Sequence, residues 1–486
     1  MNLLLALATA LLLMLAFPRF DLPFLAPFAV APLLVALARA RTWRGRLLLG
    51  WSAGVVYWAG ACYWIHFVLA VHGGMAEWAA WLGYVLFSLY QGLPLAAFGL
   101  LCGPLIARRW AAVTAPALWV VTEWTHTHLG FAWLDLGNAG ISMPVLARLA
   151  PWTGVYGISF ALAMMGTVVA LVVLRRPRFQ FVPLLALPLV ALLPRLPAPQ
   201  PGTQTAVLVQ PNLSETAAWT PEWIRDTRNR METLTTSAAP ARLIVWPEAP
   251  MPLYYYEDTP TREWLDNLAR RTGAYLIVNA TPHSTSGAPL NSALLISPTG
   301  AAVGRYDNMN LVPFGEYVPR PFQALVGKIS SEAGDFAPGE NQVTLREDAH
   351  RIGAFVCYES VFPDFVRRFA QSGAELLVNI SNDGWYGKSA ARDQHLAIVR
   401  MRAAENRRWI LRATNDGITA TIDPAGRVVR NLPPYMEGAA RTGYSYVTAV
   451  TFYSRQGDWF VWLSALLAAL GLAEALASHL WRPGVY

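Results

Sequence analysis

Eight apolar runs, each close to the length needed to cross a lipid bilayer, restrict what this sequence can fold into. Spanning about 30 Å of hydrocarbon takes roughly 20 mostly apolar residues. The runs lie at residues 3–17, 22–38, 47–70, 78–104, 110–125, 153–174, 179–196 and 457–479. Only 14% of the residues are charged, against about 25% in soluble domains, which argues against one large soluble core. We therefore predict a membrane α-helical bundle of eight transmembrane helices, seven before and one after a more polar segment.

The first run has a second interpretation, a cleaved secretory signal peptide. However, it lacks a basic segment in front and a clear small-x-small cleavage site behind. We therefore predict that it is retained as a membrane helix.

Arginine residues mark one side of the predicted membrane helices. They cluster after the second, fourth and sixth runs, at Arg39, Arg41, Arg44, Arg46, Arg108, Arg109, Arg175, Arg176 and Arg178. The intervening loops, 72–77 and 126–151, carry only Arg148. Because cytoplasmic loops are enriched in Lys and Arg, both termini are predicted to be cytoplasmic and the polar segment periplasmic, in a bacterial inner membrane. The net charge of +7 thus reflects topology, and no nucleic-acid partner is expected.

The polar segment reads as an α/β domain. We predict seven membrane helices in residues 1–198, a periplasmic domain at 199–455, and a last helix with its tail at 456–486. Predicted strands lie at 205–209, 243–246, 275–280, 292–296, 352–357, 376–380, 410–413 and 419–423. Predicted helices lie at 221–238, 260–271, 363–372 and 390–408. Alternating strands and helices favour a sheet covered by helices.

Two residues at predicted strand ends could carry chemistry. Glu248 follows the strand that begins at Leu243, and Cys357 ends another strand just before a helix that opens at Pro363. Side chains at the carboxyl ends of strands point into the crevices where α/β sites form. A carboxylate that takes the thiol proton would produce an activated nucleophile. The simpler alternatives are a packed cysteine and a turn glutamate.

No metal site is predicted, because the eight histidines are dispersed and the three cysteines have no metal-ligand spacing. Cys62 and Cys102 lie within apolar runs, where they are expected to be small core residues.

Several ordered motifs resemble a known family. They are Trp246–Glu248, Leu311–Tyr317, Cys357–Glu359, Ser381–Gly387, Gln394–His395, Asn415–Thr419 and, among the apolar runs, Phe131–Gly137. The set is similar to the nitrilase (carbon–nitrogen hydrolase) superfamily and, within it, to the apolipoprotein N-acyltransferases. The resemblance covers nearly the whole chain. It implies a nitrilase-like αββα sandwich for the polar segment.

The resemblance also implies a reaction, a ping-pong acyl transfer without a cofactor. Glu248 would act as general base for Cys357, whose thiolate would attack a phospholipid ester and form an acyl-thioester. The acceptor would be the N-terminal amine of a diacylglyceryl-cysteine apolipoprotein, in the last step of bacterial lipoprotein maturation. The expected partners are therefore a phospholipid donor, an apolipoprotein acceptor and the membrane, for a monomeric enzyme.

Five further residues match supporting positions of the family. Glu316 and Glu359 would orient the catalytic groups. Tyr358 and Trp385 would shape the pocket, and Trp219 matches a family tryptophan between the first strand and the first helix.

One catalytic position departs from the family pattern. The family lysine that stabilises the oxyanion falls eight residues before Glu316, where this chain has Asn308. Losing one oxyanion donor typically costs about 10²–10³ in rate. The two lysines of the chain, Lys328 and Lys388, do not fit the motif, and Arg305 would point to the opposite face of a strand. A slow enzyme, an inactive variant and the use of another cation all stay open.

Two alternative functions follow from these observations. A membrane-tethered amidase or nitrilase would use the same nucleophile with water as acceptor. A catalytically silent lipid- or lipoprotein-binding homologue would explain Asn308.

Other segments could lie at the membrane surface. Residues 319–331 carry an apolar face at helical spacing, as either a packed helix or a lid that contacts the bilayer. The Tyr254–Tyr256 segment suits the same interface. The ionisable residues in or near the apolar runs, His66, Glu123, His126 and Glu474, are expected to reach toward the membrane surface.

Overall fold

The computed structural model describes residues 1–214, 217–248, 251, 253–313, 315–317 and 336–480, with side chains to residue 477. The predicted lid at 319–331 and Lys328 lie outside these residues. The chain divides into two compact units. The first contains Met1–His66, Trp78–Leu196 and Gln456–Tyr486, and the second contains Phe67–Glu77 and Pro197–Arg455.

The first unit is helical. Its α-helices are Asn2–Ala16, Ala31–Arg39, Trp43–Ala61, Glu77–Gln91, Leu93–Leu105, Ala111–Leu129, Ala150–Thr153, Val155–Val173 and Trp459–Leu480. Shorter 3-10 segments are Pro23–Phe28, Leu136–Ser142 and Leu146–Leu149. Within the described residues, three helices are long and apolar enough to cross a membrane, namely Glu77–Leu105, Val155–Val173 and Trp459–Ala477. A fourth is added if Trp43–Ala61 and Ile65–His72, which are bent by 65° at their break, count as one span.

The seventh apolar run does not form an α-helix. It is the 3-10 helix Arg178–Leu192, with Pro183 and Pro188 inside it. Proline has no backbone N–H and clashes with the preceding turn, so two prolines five residues apart disfavour an α-helix.

The expectation for the ionisable residues of the first unit is wrong for two of them. Glu123 and His126 are both 4% exposed. Glu123 Oε1 accepts hydrogen bonds from Trp119 Nε1 at 2.8 Å and from the Leu136 N–H at 2.6 Å. His126 Nε2 lies 3.4 Å from a carboxylate oxygen of Asp135. Both side chains therefore make polar contacts inside the helical unit, because Asp135 and Leu136 pack beside them.

Two six-stranded sheets form the second unit, which confirms the predicted nitrilase-like α/β fold. The strands are β1 Gln204–Gln210, β2 Leu243–Val245, β3 Tyr275–Ala280, β4 Ser292–Ile296, β5 Ala302–Asp307, β6 Leu345–Glu347, β7 His350–Val356, β8 Leu376–Ser381, β9 Ile410–Thr414, β10 Thr419–Ile422, β11 Val428–Leu432 and β12 Gly438–Tyr444. The orders are β12-β1-β2-β3-β4-β5 and β11-β10-β9-β8-β7-β6. The three strands β1–β3 are parallel, as are β7–β9.

The alternation of side chains along β1 shows how the layers stack. Leu208 packs in one core with residues of the second sheet, such as Leu376. Val207 packs on the other face with Met231 and Leu265, because successive strand residues point to opposite faces. Those two residues belong to the helices Pro221–Ser237 and Thr259–Thr272, and the helices Pro363–Gln371 and Ala391–Asn406 accompany the second sheet. The parallel strands therefore direct their carboxyl ends to one edge of each sheet.

The Tyr254–Tyr256 segment is only partly exposed. Tyr254 and Tyr256 are 40% and 43% exposed, whereas Tyr255 is 4% exposed and donates a hydrogen bond from its hydroxyl to Asp266 at 2.8 Å. The interfacial interpretation is therefore wrong for Tyr255, which is a core residue.

Candidate active site

Cys357 occupies a constrained backbone position directly after β7. Its φ is +44°, in the left-handed region that non-glycine residues rarely adopt. Such strain often marks a functional site. Its side chain is 8% exposed, and Ser381 Oγ lies 3.5 Å from its Sγ. The proximity follows from the parallel pairing of Val356 with Ile380, which places the residue after β7 beside the end of β8.

Glu248 is a buried carboxyl that interacts electrostatically with the thiol of Cys357. Its Oε1 accepts from Asn291 Nδ2 at 2.8 Å, and its Oε2 accepts from the backbone N–H of Asn382 at 2.9 Å. Burial, followed by the negative charge of Glu316, raises the pKa of Glu248 to about 8. The predicted base thus has a proton affinity suited to removing a thiol proton near neutral pH.

Glu316 lies beside Glu248 because one amide group joins them. Asn291 Nδ2 donates to Glu248 Oε1 and to Glu316 Oε1, each at 2.8 Å. The pKa of Glu316 is also raised, chiefly by burial. Two adjacent carboxyls in an apolar setting disfavour double ionisation, so the pair is expected to retain a proton near neutral pH.

Asn308 is in contact with this pair, at the position where the resemblance expects lysine. It is 2% exposed, and its Nδ2 lies 3.1 Å and 3.2 Å from the two carboxylate oxygens of Glu316. Among the described residues, no lysine or arginine forms a hydrogen bond or ion pair with Glu248 or Glu316. Arg305 instead forms an ion pair with Asp307 at 2.9 Å. A neutral amide therefore occupies the place of the family cation.

Glu359 fixes the backbone around the nucleophile. Its Oε2 accepts from the Val356 N–H at 2.8 Å, and its Oε1 accepts from Tyr306 Oη at 2.5 Å and from the N–H groups of Met309 and Asn310 at 2.9 and 3.3 Å. Burial raises its pKa to about 7. One carboxyl thereby ties the end of β7 to the segment that follows β5.

Replacing Glu359 should therefore cost stability. Glu359→Ala leaves several buried donors without an acceptor, and we expect a loss of about 3 kcal/mol. Thermal unfolding of the purified chain measures this as a lower Tm. Glu340→Ala, at an exposed site, is the control and should change stability by less than about 0.5 kcal/mol. Equal Tm values for the two variants would contradict this role of Glu359.

The three aromatic residues predicted to support the site are in different settings. Tyr358 is 5% exposed and contacts Phe362 edge-on at a ring distance of 5.3 Å. Trp385 is half-buried, and its ring lies 4.4 Å from that of His72, in a segment that the sequence did not connect with this domain. Trp219 is 59% exposed, on the loop before the helix at 221. The structure thus places Trp219 outside the hydrogen-bonded cluster.

A second buried polar network lies behind Cys357. Arg412 Nη2 donates to both carboxylate oxygens of Asp383 at 2.8 Å, and Ser381 Oγ donates to Asp383 Oδ1 at 3.0 Å. His395 Nδ1 lies 3.1 Å from Asp383 Oδ1, and its Nε2 lies 2.7 Å from Ser360 Oγ. All five side chains are fully buried. Burial raises the pKa of Asp383, but Arg412 and His395 outweigh burial and hold it well below its usual range.

Comparison with known proteins identifies the family of this chain. The carbon-nitrogen hydrolase family model matches residues 204–449, and the model of the apolipoprotein N-acyltransferase N-terminal domain matches residues 9–168. Over 98% of its length the chain is 34% identical to the apolipoprotein N-acyltransferase of Geobacter metallireducens, of which 95% is covered. The chain belongs to the apolipoprotein N-acyltransferase family.

Other apolipoprotein N-acyltransferases give the same result. The protein of Azotobacter vinelandii is 34% identical over 97% of this chain and 94% of that protein. The resemblance inferred from the ordered motifs is confirmed, and it extends over both the helical and the α/β unit.

A solved structure is also similar to this chain. Nit3 of Saccharomyces cerevisiae, a member of the nitrilase superfamily, matches 51% of this chain and 92% of its own length, with 17% identity and a TM-score of 0.38.

Proposed function

We propose that this chain transfers an acyl group from a phospholipid, through a thioester on Cys357, to the N-terminal amine of diacylglyceryl-cysteine apolipoproteins. This is the last step of bacterial lipoprotein maturation. The observation that carries the proposal is the position of the buried Glu248 carboxyl beside the Cys357 thiol. The two groups interact electrostatically, and Glu248 accepts from the N–H of Asn382, the neighbour of the Ser381 that lies 3.5 Å from Sγ, in a chain of the apolipoprotein N-acyltransferase family.

The first half-reaction forms the thioester. Glu248, in its ionised form, takes the proton of the Cys357 thiol, and the thiolate attacks the ester carbonyl of the phospholipid. The tetrahedral intermediate collapses, the acyl–oxygen bond breaks, and the proton on Glu248 passes to the departing alkoxide. A lysophospholipid leaves, and the acyl group remains on Sγ.

The second half-reaction regenerates the enzyme. The free amine of the lipidated N-terminal cysteine attacks the thioester carbonyl, and Glu248 accepts the proton that the amine loses. The carbon–sulfur bond breaks, the amide product leaves, and the thiolate regains the proton. Glu316 and Glu359 hold Glu248 and the Cys357 backbone in place, and Tyr358 and Trp385 contribute to the pocket.

We propose a membrane topology to match these substrates. Eight spans, with both termini in the cytoplasm, place a catalytic domain at 199–455 on the periplasmic face of the inner membrane, between helices in 1–198 and 456–486. Three arginine-rich loops on one side support this orientation. A phospholipid donor and a lipidated acceptor both reside in the bilayer. A multi-pass, monomeric enzyme can therefore bind both substrates from within the membrane.

The two alternative functions, a membrane-tethered amidase and a silent binding homologue, differ in their support. A membrane-tethered amidase is not favoured, because the matching relatives cover the helical part as well as the hydrolase part. A silent binding homologue has one specific observation in its favour, the neutral amide of Asn308 beside Glu316.

One assay separates these functions. Purified protein is mixed with phospholipid vesicles and a synthetic diacylglyceryl lipopeptide, and mass spectrometry follows the Cys357 peptide and the lipopeptide. We expect an acyl mass added at Cys357 without acceptor, and N-acylated lipopeptide with acceptor. Thioester without lipopeptide product would favour a hydrolase, and no thioester under any condition would favour the silent homologue.

The rate of thioester formation should rise with pH. The pKa of Glu248 is raised to about 8, and only its ionised form can accept the thiol proton. The single-turnover rate should therefore fall about tenfold per pH unit below about pH 8. In Glu316→Gln the neighbouring negative charge is absent, so the inflection should move to lower pH. An inflection near the ordinary carboxyl pKa in the parent chain would contradict the assignment of Glu248 as the base.

A further inference from the structure

Ser381 lies between two groups that compete for its single proton. Its fully buried Oγ is 3.5 Å from Cys357 Sγ and 3.0 Å from Asp383 Oδ1. A serine hydroxyl has one O–H donor, so it can donate to only one of these atoms at a time.

In the resting thiol state, the proton of Ser381 belongs to Asp383. That carboxylate is ionised and paired with Arg412, and a charged acceptor attracts a hydroxyl proton more strongly than a neutral thiol does. The Cys357 thiol meanwhile interacts with the carboxyl of Glu248.

We propose that Ser381 stabilises the Cys357 thiolate by rotating its hydroxyl from Asp383 to Sγ when Glu248 takes the thiol proton. No proton leaves Ser381. The thiol proton moves to Glu248, the negative charge moves to sulfur, and one hydrogen bond changes acceptor. The inference rests on the proposed function only in taking Cys357 as the nucleophile.

The surroundings explain why such a donor is needed. Burial, Glu248 and Asp383 all raise the pKa of Cys357, and the Ser381 hydroxyl and the Asn382 N–H oppose them by donating hydrogen bonds. The other titratable groups around Cys357 are Tyr386 and His395. Asn308, which stands in place of a lysine, supplies no positive charge beside Glu316 either.

Arg412 has a positioning role in this arrangement. It holds Asp383 by two hydrogen bonds and neutralises its charge, and its Nη1 also bonds Asn379 Oδ1. Without that neutralisation, the carboxylate would oppose a negative charge on Sγ. The pairing with Arg412 therefore weakens the repulsion between the Asp383 carboxylate and the thiolate, but does not remove it.

Alkylation of Cys357 tests the proposal without any lipid. The full-length chain in detergent with a reductant is treated with iodoacetamide at fixed pH below the thiol pKa, and mass spectrometry follows the Cys357 peptide. Since the thiolate is the reactive form, the rate reports its population. A lost hydrogen bond to a charged group corresponds to about a 10- to 100-fold lower rate, which we expect for Ser381→Ala.

Ser292→Ala is the matched control. Ser292 Oγ is also fully buried at a strand position and donates to a carboxylate, Asp307 Oδ1, at 2.6 Å. It does not touch Cys357, so its variant should be alkylated at the parental rate. A parental rate in folded Ser381→Ala, or equal losses in both variants, would overturn the proposal.

Three further outcomes remain decisive. If Ser381→Ala does not fold, the similarly sized Ser381→Cys retains only a weak donor, and its Cys357 should still react more slowly than in the parent; an unchanged rate overturns the proposal. If Cys357 of the parent reacts at no pH, both this proposal and the proposed function fail. Slower alkylation of Ser381→Ala in a chain that transfers no acyl group counts against the proposed function alone.

Discussion

Cys357→Ala is expected to lower the rate of N-acylation by on the order of 10⁶, to background, because the thioester cannot form without the Cys357 thiol. The hydrogen-bond partners of the thiol remain in this variant, so folding should be retained. Mass spectrometry should find neither the thioester nor the N-acylated lipopeptide.

A second buried cysteine gives the control for that experiment. Cys102 is fully buried in the helical unit, so Cys102→Ala removes a similar volume without touching the cluster. It should retain the thioester at Cys357. N-acylated product from Cys357→Ala would refute the covalent mechanism.

Asn308→Lys is expected to raise the rate of thioester formation about 10²–10³-fold. The side chain of residue 308 already points at both oxygens of Glu316. An ammonium group there would supply the charge that a neutral amide lacks. It would also favour ionised Glu316 and Glu248, so the pH at which the rate reaches half its maximum should fall below about 8.

The length of the new side chain needs a separate control. Asn308→Met has nearly the length of lysine and no charge, and we expect it to be slower than the parent because the hydrogen bonds to Glu316 are lost. Single-turnover thioester formation over a range of pH measures all three chains. A rate for Asn308→Lys at or below that of Asn308→Met would show that this chain does not depend on a cation at residue 308.

The strands that sequence patterns predicted and those that they missed differ in position. All eight predicted strands are present, whereas β5, β6, β11 and β12 were missed. These four are the outer strands of the two sheets. Strand patterns depend on apolar side chains packed on both faces, and β11 is almost wholly exposed while β12 begins with Gly-Ala-Ala-Arg. Edge strands of this kind carry little of the signal.

The apolar runs predicted where helical segments lie, but not which of them are regular α-helices. Length and hydropathy do not register where proline interrupts hydrogen bonding, as at Pro183 and Pro188. They also do not show that a polar residue such as Glu123 has partners inside the unit. The eight spans therefore stay a prediction, with three or four helices of sufficient length among the described residues.

At the site, ordered motifs predicted residues that the structure brings together, but not what joins them. Glu248, Glu316, Asn308, Glu359 and Cys357 all lie in or beside one buried cluster. Asn291, which bridges two of the carboxyls, had no motif to mark it. Ser381 lies beside Cys357, and Arg412 beside Asp383, because of the register of three parallel strands, and register is not visible from spacing along the chain.

The pairing of β1 with β12 has a consequence for how such a protein could arise. Gln204 is paired with Tyr444, and Thr203 donates a backbone hydrogen bond to Ser445. The polypeptide therefore enters and leaves the α/β unit side by side. A unit with adjacent ends can be inserted into another chain, or removed from it, as a cassette, since the host needs to open at only one point. The order of helices, α/β unit and helix in this sequence is what the insertion of a free-standing α/β domain between two consecutive segments of the helical unit would produce.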